Sequence, residues 1–181
     1  TAVSILVDAS GSMMACDGRE LSRCETACRC AAMLALALDE IPGIYTQVTF
    51  FPGRDAEFEV AKTFRQRARQ RGPFFDQKPR GSTPLAQALW SVAASNLPVA
   101  RHICFVITDG IPDSVEQTRR AIGVLKSAGV ELVGIGIKSD FIKNLIPDSD
   151  IVESHTQLPE LTFDRLLRWF EKRQRELDRV A

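Results

Sequence analysis

The sequence has no excess of charge of either sign. Its 181 residues include 23 Lys and Arg against 23 Asp and Glu, so the formal net charge is zero and indicates no polyanionic partner such as nucleic acid. With 45% hydrophobic and 25% charged residues, the composition excludes wholesale disorder, collagen and coiled coil. A chain of this length normally forms one domain with its own core. We therefore predict a single domain over residues 1–181.

Long apolar segments are also missing. The longest mostly apolar run, residues 30–38, is about half of the roughly 20 residues that a membrane-spanning helix needs. The chain starts at Thr1 and continues directly into an apolar stretch, without an initiator Met or the basic start of a secretory signal. We expect no membrane span, a cytoplasmic location, and a domain cut from the C-terminal part of a longer protein.

The five cysteines form no recognisable metal or disulfide pattern. Cys24, Cys28 and Cys30 fall within seven residues, and with Cys16 and Cys104 the number is odd. A helix would put Cys24 and Cys28 on one face and turn Cys30 elsewhere, which corresponds to no standard zinc arrangement. We expect reduced thiols that pack as small apolar side chains. A metal or redox role is the alternative.

Two kinds of apolar segment alternate along the chain. Short runs rich in Val, Ile and Phe have the composition of strands buried on both faces, and they lie at residues 3–7, 47–51, 103–107 and 130–137. Longer stretches with helical spacing lie at residues 20–39, 84–95, 114–127 and 158–179. Strands that alternate with helices predict a parallel sheet with helices on both faces.

The fold class predicted from this alternation is α/β, Rossmann-like and doubly wound, with a mostly parallel central sheet. Residues 57–64 alternate loosely after a turn signal, which predicts an antiparallel edge strand paired with 47–51. Residues 150–152 are expected to form a short last strand. Helical spacing predicts that Trp90 and Trp169 lie in the core.

One stretch is strongly biased in charge. Residues 62–80 carry seven Lys and Arg against the single acid Asp76, so 7 − 1 gives +6. A solvated helix and loop is one interpretation, and a binding role is the other. Because the stretch precedes Thr83, we hypothesise that Arg67, Arg69 and Arg71 approach the site described next and attract acidic partners.

The residues with the clearest chemistry follow the first predicted strand. Asp8, Ser10 and Ser12 are spaced two residues apart on a tight turn at its carboxyl end. They offer only oxygen atoms, which Mg²⁺ and similar hard cations prefer as ligands. In an open α/β sheet, ligands bind beyond the carboxyl ends of the strands where the strand order reverses. We therefore predict a magnesium-type site here, and a turn with helix-capping side chains is the alternative.

Two further segments carry oxygen ligands. Asp109 follows the run at 103–107, and it would emerge beside Asp8 if the two strands are neighbours. Thr83 lies in a loop that opens a helix, directly before Pro84. The Thr83 hydroxyl suits a helix cap, but it could equally face the cation.

This constellation resembles the metal-ion-dependent adhesion site of the von Willebrand factor A family. Asp8-x-Ser10-x-Ser12, Thr83 and Thr108-Asp109-Gly110 stand in the family's order, and the resemblance covers essentially the whole chain. It implies that Ser10, Ser12 and Thr83 contact Mg²⁺, Mn²⁺ or Ca²⁺ through their hydroxyls. It also implies that Asp8 and Asp109 bind the ion directly or through water, and that an acidic residue of a partner protein completes the coordination.

Within that family, the sequence is similar to the intracellular bacterial branch. Residues 108–113 and 130–137 resemble the A domains of the aerobic cobaltochelatase accessory subunit and of nitric oxide reductase activation proteins. Those domains end longer chains and work with AAA+ ATPases of the chelatase or MoxR type. The resemblance implies a non-catalytic interaction domain whose partner is an AAA+ ATPase or its client. The cysteines at 24–30 and the basic stretch at 62–80 correspond to neither subgroup.

Two other functions are compatible with these residues. A metal-dependent phosphotransferase or hydrolase of the haloacid-dehalogenase type would use Asp8 as its nucleophile. Such enzymes usually place a second carboxylate two residues later, where this chain has Ser10. His102 and His155 have no evident place as a general base and are expected at the surface or at element boundaries. A structural domain with a vestigial metal site is the third alternative.

Overall fold

The computed structural model describes residues 1–95 and 99–178, with side chains through Arg168. The strands are β1 (Ala2–Asp8), β2 (Tyr45–Phe51), β3 (Glu59–Lys62), β4 (His102–Thr108), β5 (Val130–Ile137) and β6 (Ser149–Val152). The helices are α1 (Arg23–Asp39), α2 (Leu85–Ala94), α3 (Val115–Ser127) and α4 (Leu158–Asp178). Short 3-10 turns connect several of these elements.

The strands form one sheet in the order β3-β2-β1-β4-β5-β6. β1 pairs in parallel with β2 and β4, and β4, β5 and β6 continue in parallel. β3 runs antiparallel to β2 at the edge of the sheet. The prediction of a Rossmann-like, mostly parallel sheet with one antiparallel edge strand is confirmed.

Helices cover both faces of this sheet. α1 and α4 pack on one face, against residues such as Ile5 and Phe105, and α2 and α3 pack on the other, against Leu6 and Val106. Successive strand residues point to opposite faces, so β1 is buried at every position. This two-sided burial explains why continuous apolar runs, rather than alternation, identified the central strands in the sequence.

Local hydrogen bonds set where the helices begin and end. α1 starts three residues later than predicted because Ser22 and Glu25 form a capping box: Ser22 Oγ accepts from Glu25 N–H at 3.2 Å, and the Glu25 carboxylate accepts from Ser22 N–H at 2.9 Å. α3 begins as predicted, with Ser114 Oγ accepting from Gln117 N–H at 3.2 Å. It ends before Gly129, whose φ of 77° is the left-handed conformation typical of a helix stop.

The helices also correct one prediction about the core. Leu89 on α2 is fully buried, but Trp90 is 42% exposed, because adjacent helical residues project about 100° apart and cannot both face the sheet. The side chain of Trp169 and residue 179, the predicted end of the last helix, lie outside the described residues. Among the helices of the described ranges, none combines the length and apolar character that crossing a membrane requires.

One positive charge lies inside the fold. Lys62, at the end of β3, is fully buried. Its Nζ donates to Thr46 O at 2.7 Å and to Thr46 Oγ1 at 2.6 Å, and lies 3.0 Å from Asp39 Oδ1. Burial lowers the pKa of Lys62. Burial raises the pKa of Asp39, but hydrogen bonds from the Ala68 N–H, Thr46 and Lys62 together bring it below its ordinary value.

The substitution Asp39→Ala is expected to lower the free energy of unfolding by about 3–5 kcal/mol, because it leaves the buried Lys62 ammonium without its counter-ion. Urea unfolding at pH 7 measures the change, and Glu40→Ala at the exposed neighbouring position should shift it by less than about 0.5 kcal/mol. The contribution of Asp39 is present above about pH 4 and is lost as the pH falls through the lowered pKa of the folded protein. Equal unfolding free energies for the two variants would contradict the assignment.

Candidate metal site

The carboxyl ends of β1 and β4 meet at one edge of the sheet. The two strands are parallel neighbours, with Val7 opposite Ile107. From this central pair the chain continues to β2 and β3 on one side and to β5 and β6 on the other. A reversal of strand order of this kind leaves a crevice outside the strand ends. The loops after Asp8 and Thr108 border this crevice, as the sequence predicts.

Asp8 lies at the floor of the crevice and is fully buried. Its Oδ1 accepts from Ser10 N–H at 2.7 Å, and its Oδ2 accepts from the Thr108 hydroxyl at 2.5 Å. Burial raises the pKa of the Asp8 carboxyl to about 6; hydrogen bonds from Ser10 and Thr108 oppose this rise, and the charge of Asp109 adds to it. Thr108 therefore orients the carboxylate, a role that its place beside Asp109 in the motif did not indicate.

Three backbone hydrogen bonds fix the turn that follows Asp8. Ala9 N–H donates to Phe51 O at 2.7 Å, at the end of β2. Arg80 N–H donates to Ala9 O at 2.8 Å, and Gly11 N–H donates to Gly81 O at 3.2 Å. The turn is thus attached to β2 on one side and to the loop before α2 on the other, so main-chain contacts place its two serines.

The serine hydroxyls connect this turn to Asp109. Ser10 Oγ and Ser12 Oγ are hydrogen-bonded at 3.1 Å, and Ser12 Oγ donates to Asp109 Oδ1 at 2.6 Å. Ser10 is buried whereas Ser12 is exposed. The crevice therefore runs from the buried Asp8 toward solvent along a row of oxygen atoms.

Asp113 attaches the Thr83 loop to the loop that carries Asp109. Thr83 N–H donates to Asp113 Oδ1 at 2.8 Å, and Asp113 N–H donates back to Thr83 O at 3.0 Å. The Ser82 hydroxyl donates to Asp113 Oδ2 at 2.7 Å. The prediction of Thr83 as a helix cap is wrong, because the cap position of α2 is Pro84 and no side chain caps it. Asp113 was not among the predicted site residues.

Gly110 lies beside the hydroxyls of Thr83 and Ser12. A Cβ atom at position 110 would lie 3.6 Å from Thr83 Oγ1 and 3.8 Å from Ser12 Oγ. The two hydroxyls come from different loops and border the same point. A Cβ atom at position 110 would be in ordinary van der Waals contact with both hydroxyls, so position 110 borders the site.

Asp109 is held from two sides by groups of different kinds. Its Oδ1 accepts from Ser12, and its Oδ2 accepts from Arg23 Nη1 at 2.8 Å. Arg23 is the first residue of α1, where the helix dipole disfavours a positive charge unless carboxylates lie nearby. Arg23 was not among the predicted site residues, although a cation in the first turn of a predicted helix was an available signal.

A second carboxylate, Asp17, fixes Arg23. Arg23 Nε and Nη2 donate to the two Asp17 oxygens at 2.8 and 2.9 Å, and Lys138 Nζ donates to Asp17 Oδ1 at 3.1 Å. The bond from Arg23, aided by Lys138, holds the pKa of Asp17 well below its usual range. His155 lies at an element boundary, as expected, but is fully buried, with Nδ1 3.4 Å from Asp17 Oδ2. Its place in this cluster was not foreseen.

The side chains around the crevice fit a hard divalent cation. The structure brings together all of the predicted site residues, which are Asp8, Ser10, Ser12, Thr83 and Asp109. They supply carboxylate and hydroxyl oxygens and no sulfur or nitrogen, as Mg²⁺, Mn²⁺ and Ca²⁺ prefer. Within the described ranges no three His, Cys, Asp or Glu side chains group to hold a metal, so a cation at this site would depend on the hydroxyls as well as on the two carboxylates.

The cysteines form no second metal site. Cys24 and Cys28 share one face of α1 with their sulfur atoms 3.9 Å apart, as the spacing predicts. All five cysteines are free, and four of them are buried. The expectation that the thiols pack as small apolar side chains is confirmed for these four and is wrong for Cys16, which is exposed.

The basic stretch at 62–80 is not gathered at the metal site. Because β3 is antiparallel to β2, the chain after Lys62 reaches the edge of the sheet where β2 begins at Tyr45. Arg67 and Arg69 border a groove there, opposite the carboxyl ends of the parallel strands. The hypothesis that they approach the metal site is therefore wrong, and Lys62 is buried rather than solvated.

Two other arginines of this stretch lie elsewhere. Arg71 Nε donates to Ala61 O at 2.8 Å, and its guanidinium lies 3.4 Å from the centroid of the Phe74 ring, so Arg71 is engaged beside β3. Arg80 lies next to the metal site, through its backbone bond to Ala9. Arg23, unlike these arginines, forms an ion pair with a predicted ligand, Asp109.

Sequence and structure comparisons give different results for this chain. The sequence matches no family model and no curated protein. Among solved structures, proximal thread matrix protein 1 of mussel byssus superposes with a TM-score of 0.69 and 19% identity, over 88% of this chain and 44% of that one. The manganese-loaded TRAP protein of Plasmodium vivax gives 0.63 and 19%, over 88% and 70%. A von Willebrand factor type A structure from Catenulispora acidiphila gives 0.67 and 18%, over 88% and 40%.

These similarities show the fold. The chain has the von Willebrand factor A fold, as the sequence resemblance implied, and it spans less than half of the mussel and Catenulispora chains. One structure of the mussel protein has a zinc-occupied MIDAS motif, and the Plasmodium protein carries manganese. Divalent cations therefore bind proteins that share this fold.

Cation binding is expected to weaken as the pH falls through about 6. The buried Asp8 carboxyl must be ionised to hold a cation, and its raised pKa makes protons effective competitors. Calorimetric titration of Mn²⁺ between pH 5 and 7.5 should show a nearly constant affinity above pH 7 and a loss of about tenfold per pH unit well below 6.

The free energy of unfolding of the metal-free protein should change with pH in the opposite direction to the cation affinity, because the Asp8 contribution increases as the pH falls. Protonated Asp8 contributes stability that is fully present below the ordinary value of 3.8 and is lost as the pH rises through about 6. Because Mn²⁺ should bind more tightly at pH 7.5 than at pH 5, the increase in Tm that it causes should be larger at pH 7.5. An affinity that is constant from pH 5 to 7.5 would contradict this account of Asp8.

Proposed function

We propose that the chain is a divalent-metal-dependent protein-interaction domain in which Asp8, Ser10, Ser12, Thr83 and Asp109 hold the cation. The ion is Mg²⁺, with Mn²⁺ or Ca²⁺ as alternatives. The observation that carries this proposal is the meeting of these oxygen-bearing side chains, from three separate loops, where the strand order reverses. The manganese and zinc bound by structures of the same fold support it.

The two kinds of ligand have different roles in this proposal. Asp8 and Asp109 contribute negative charge, whereas Ser10, Ser12 and Thr83 contribute neutral oxygens. A cation held mainly by neutral hydroxyls stays electrophilic and attracts a further carboxylate. Since Ser12 is exposed at the mouth of the crevice, that carboxylate would come from an acidic residue of another protein.

The contacts around the serines favour binding over catalysis. No histidine or lysine in the described part of the chain hydrogen-bonds to the hydroxyls of Ser10 and Ser12, which instead bond to each other and to Asp109. Position 10 has a serine whose N–H donates to Asp8, whereas a phosphotransferase of the haloacid-dehalogenase type would have a carboxylate there. We therefore place this domain among non-catalytic modules.

The proposal extends to the partner protein and to the cellular location. The resemblance of residues 108–113 and 130–137 to chelatase and nitric oxide reductase activation proteins supports an AAA+ ATPase, or its client, as the partner. Free cysteines, four of them buried, are typical of the cytoplasm. We therefore propose a cytoplasmic accessory domain, 1–181, from the C-terminal part of a longer protein.

The substitution Asp8→Ala tests the function. In wild type, Mg²⁺ or Mn²⁺ at about 100 times its Kd should raise the free energy of unfolding by about 2.7 kcal/mol relative to chelator. Asp8→Ala should lose this increase and should also lose metal-dependent binding to the purified AAA+ ATPase of the same organism. Glu40→Ala, at an exposed carboxylate in the groove at the opposite edge of the sheet, should behave as wild type.

The possible results separate the alternatives. No stabilisation of wild type by either ion would favour a scaffold with a vestigial site. Equal stabilisation of wild type and Asp8→Ala would show that the cation binds elsewhere. Phosphorylation of Asp8 with phosphatase turnover would establish the enzyme alternative.

A further inference from the structure

We propose that Arg23 sets the charge of the metal site, so that a divalent cation and an outside carboxylate bind there cooperatively. The inference rests on the proposed function and gives a role to a residue outside the ligand set. Arg23 lies between two carboxylates, with Nη1 2.8 Å from Asp109 Oδ2 and with Nε and Nη2 2.8 and 2.9 Å from Asp17.

This ion pair is well shielded from solvent. The Arg23 side chain is 15% exposed, and the Asp109 carboxylate is fully buried. Charges in such a position are screened less by water and salt than surface charges are. The two-pronged bond to Asp17 also fixes the guanidinium plane. Arg23 therefore acts on Asp109 as a fixed positive charge.

The two oxygens of Asp109 face different groups. Oδ1 points to the Ser12 hydroxyl, on the side of the proposed ligands, and Oδ2 points to Arg23. Arg23 therefore leaves the hydroxyl side of the crevice open. A cation bound beside Ser12 would contact Asp109, whose negative charge Arg23 already balances in part from the opposite side.

A count of charges in this cluster shows the consequence. Asp8, Asp109 and Asp17 contribute −3, and the two cations Arg23 and Lys138 contribute +2, so this set sums to −1. Asp113 and Arg80, which also border the site, carry opposite charges that cancel. A divalent cation changes the sum to +1, which a single carboxylate from outside would balance. Without Arg23, the cation alone would bring the sum to zero. Arg23 thus leaves a positive charge for an acidic ligand to balance.

Two effects on binding follow from this charge. Arg23 weakens the attraction of the site for the cation alone, because like charges repel across a short and poorly screened distance. Arg23 also strengthens the coupling between the cation and a carboxylate, and this coupling is reciprocal. Each of the two would then bind more tightly in the presence of the other.

The substitution Arg23→Gln tests the inference, since glutamine can still donate to Asp109 but carries no charge. Mn²⁺ is titrated calorimetrically into chelator-stripped protein at pH 7.5, in chloride or in acetate of equal ionic strength. In chloride, Arg23→Gln should bind Mn²⁺ on the order of tenfold more tightly than wild type. Acetate should raise the Mn²⁺ affinity of wild type more than that of Arg23→Gln.

Two control variants separate charge from packing. Arg23→Lys keeps the charge and should keep the weaker affinity of wild type. Arg29→Gln removes an exposed arginine from the same helix and should leave Mn²⁺ binding unchanged. Urea unfolding in chelator checks that each variant folds. If Arg23→Gln does not fold, Lys138→Gln takes its place, and it should bind Mn²⁺ about two- to threefold more tightly because its charge lies farther from Asp109.

An equal or weaker Mn²⁺ affinity of Arg23→Gln in chloride would overturn the inference, because it would show that Arg23 only positions Asp109. An unchanged affinity of Lys138→Gln would do the same where that variant is used. Failure of wild type to bind Mn²⁺ in either salt would instead overturn the proposed function. The two failures are therefore distinguishable.

Discussion

The burial of two carboxylates at one edge of the sheet is the constraint on which this structure depends. Asp8 and Asp109 end adjacent parallel strands, and both side chains are buried. Burial disfavours the charged form of a carboxylate unless positive charge or hydrogen-bond donors balance it, and at Asp8 the charge of Asp109 adds to this cost. The protein meets this constraint with donors from Ser10, Ser12 and Thr108, and with the Arg23 guanidinium. A divalent cation would meet it more fully, which connects the fold of the domain to its proposed function.

The parallel sheet makes this arrangement possible. Neighbouring parallel strands end at the same edge of the sheet, so strand pairing alone places the loops that follow them side by side. Main-chain bonds from Ala9 and Gly11, and the exchange between Thr83 and Asp113, then hold three loops in register. The hydroxyls are placed by backbone geometry before any ligand arrives, a condition for binding without a large reorganisation.

Much of the fold and of the candidate metal site could be predicted from the sequence, because the informative residues are close in sequence or lie at strand ends. Asp8, Ser10 and Ser12 occupy one turn, and the two-sided burial of β1 and β4 left clear apolar runs. The position of the basic stretch was also within reach, since an antiparallel edge strand must return the chain to the opposite edge of the sheet. Arg23 and Lys62 could not be placed, because their partners, Asp109 and Asp39, are fixed by tertiary packing rather than by any local pattern.

The most direct test of the central claim is crystallographic. Crystals grown with Mn²⁺ and measured at the manganese absorption edge would locate the ion by its anomalous scattering. The account predicts a peak in the crevice between the hydroxyls of Ser10, Ser12 and Thr83, with the carboxylates of Asp8 and Asp109 around it. A crevice without a peak, or manganese bound instead at another place such as the Asp17 cluster, would contradict the account.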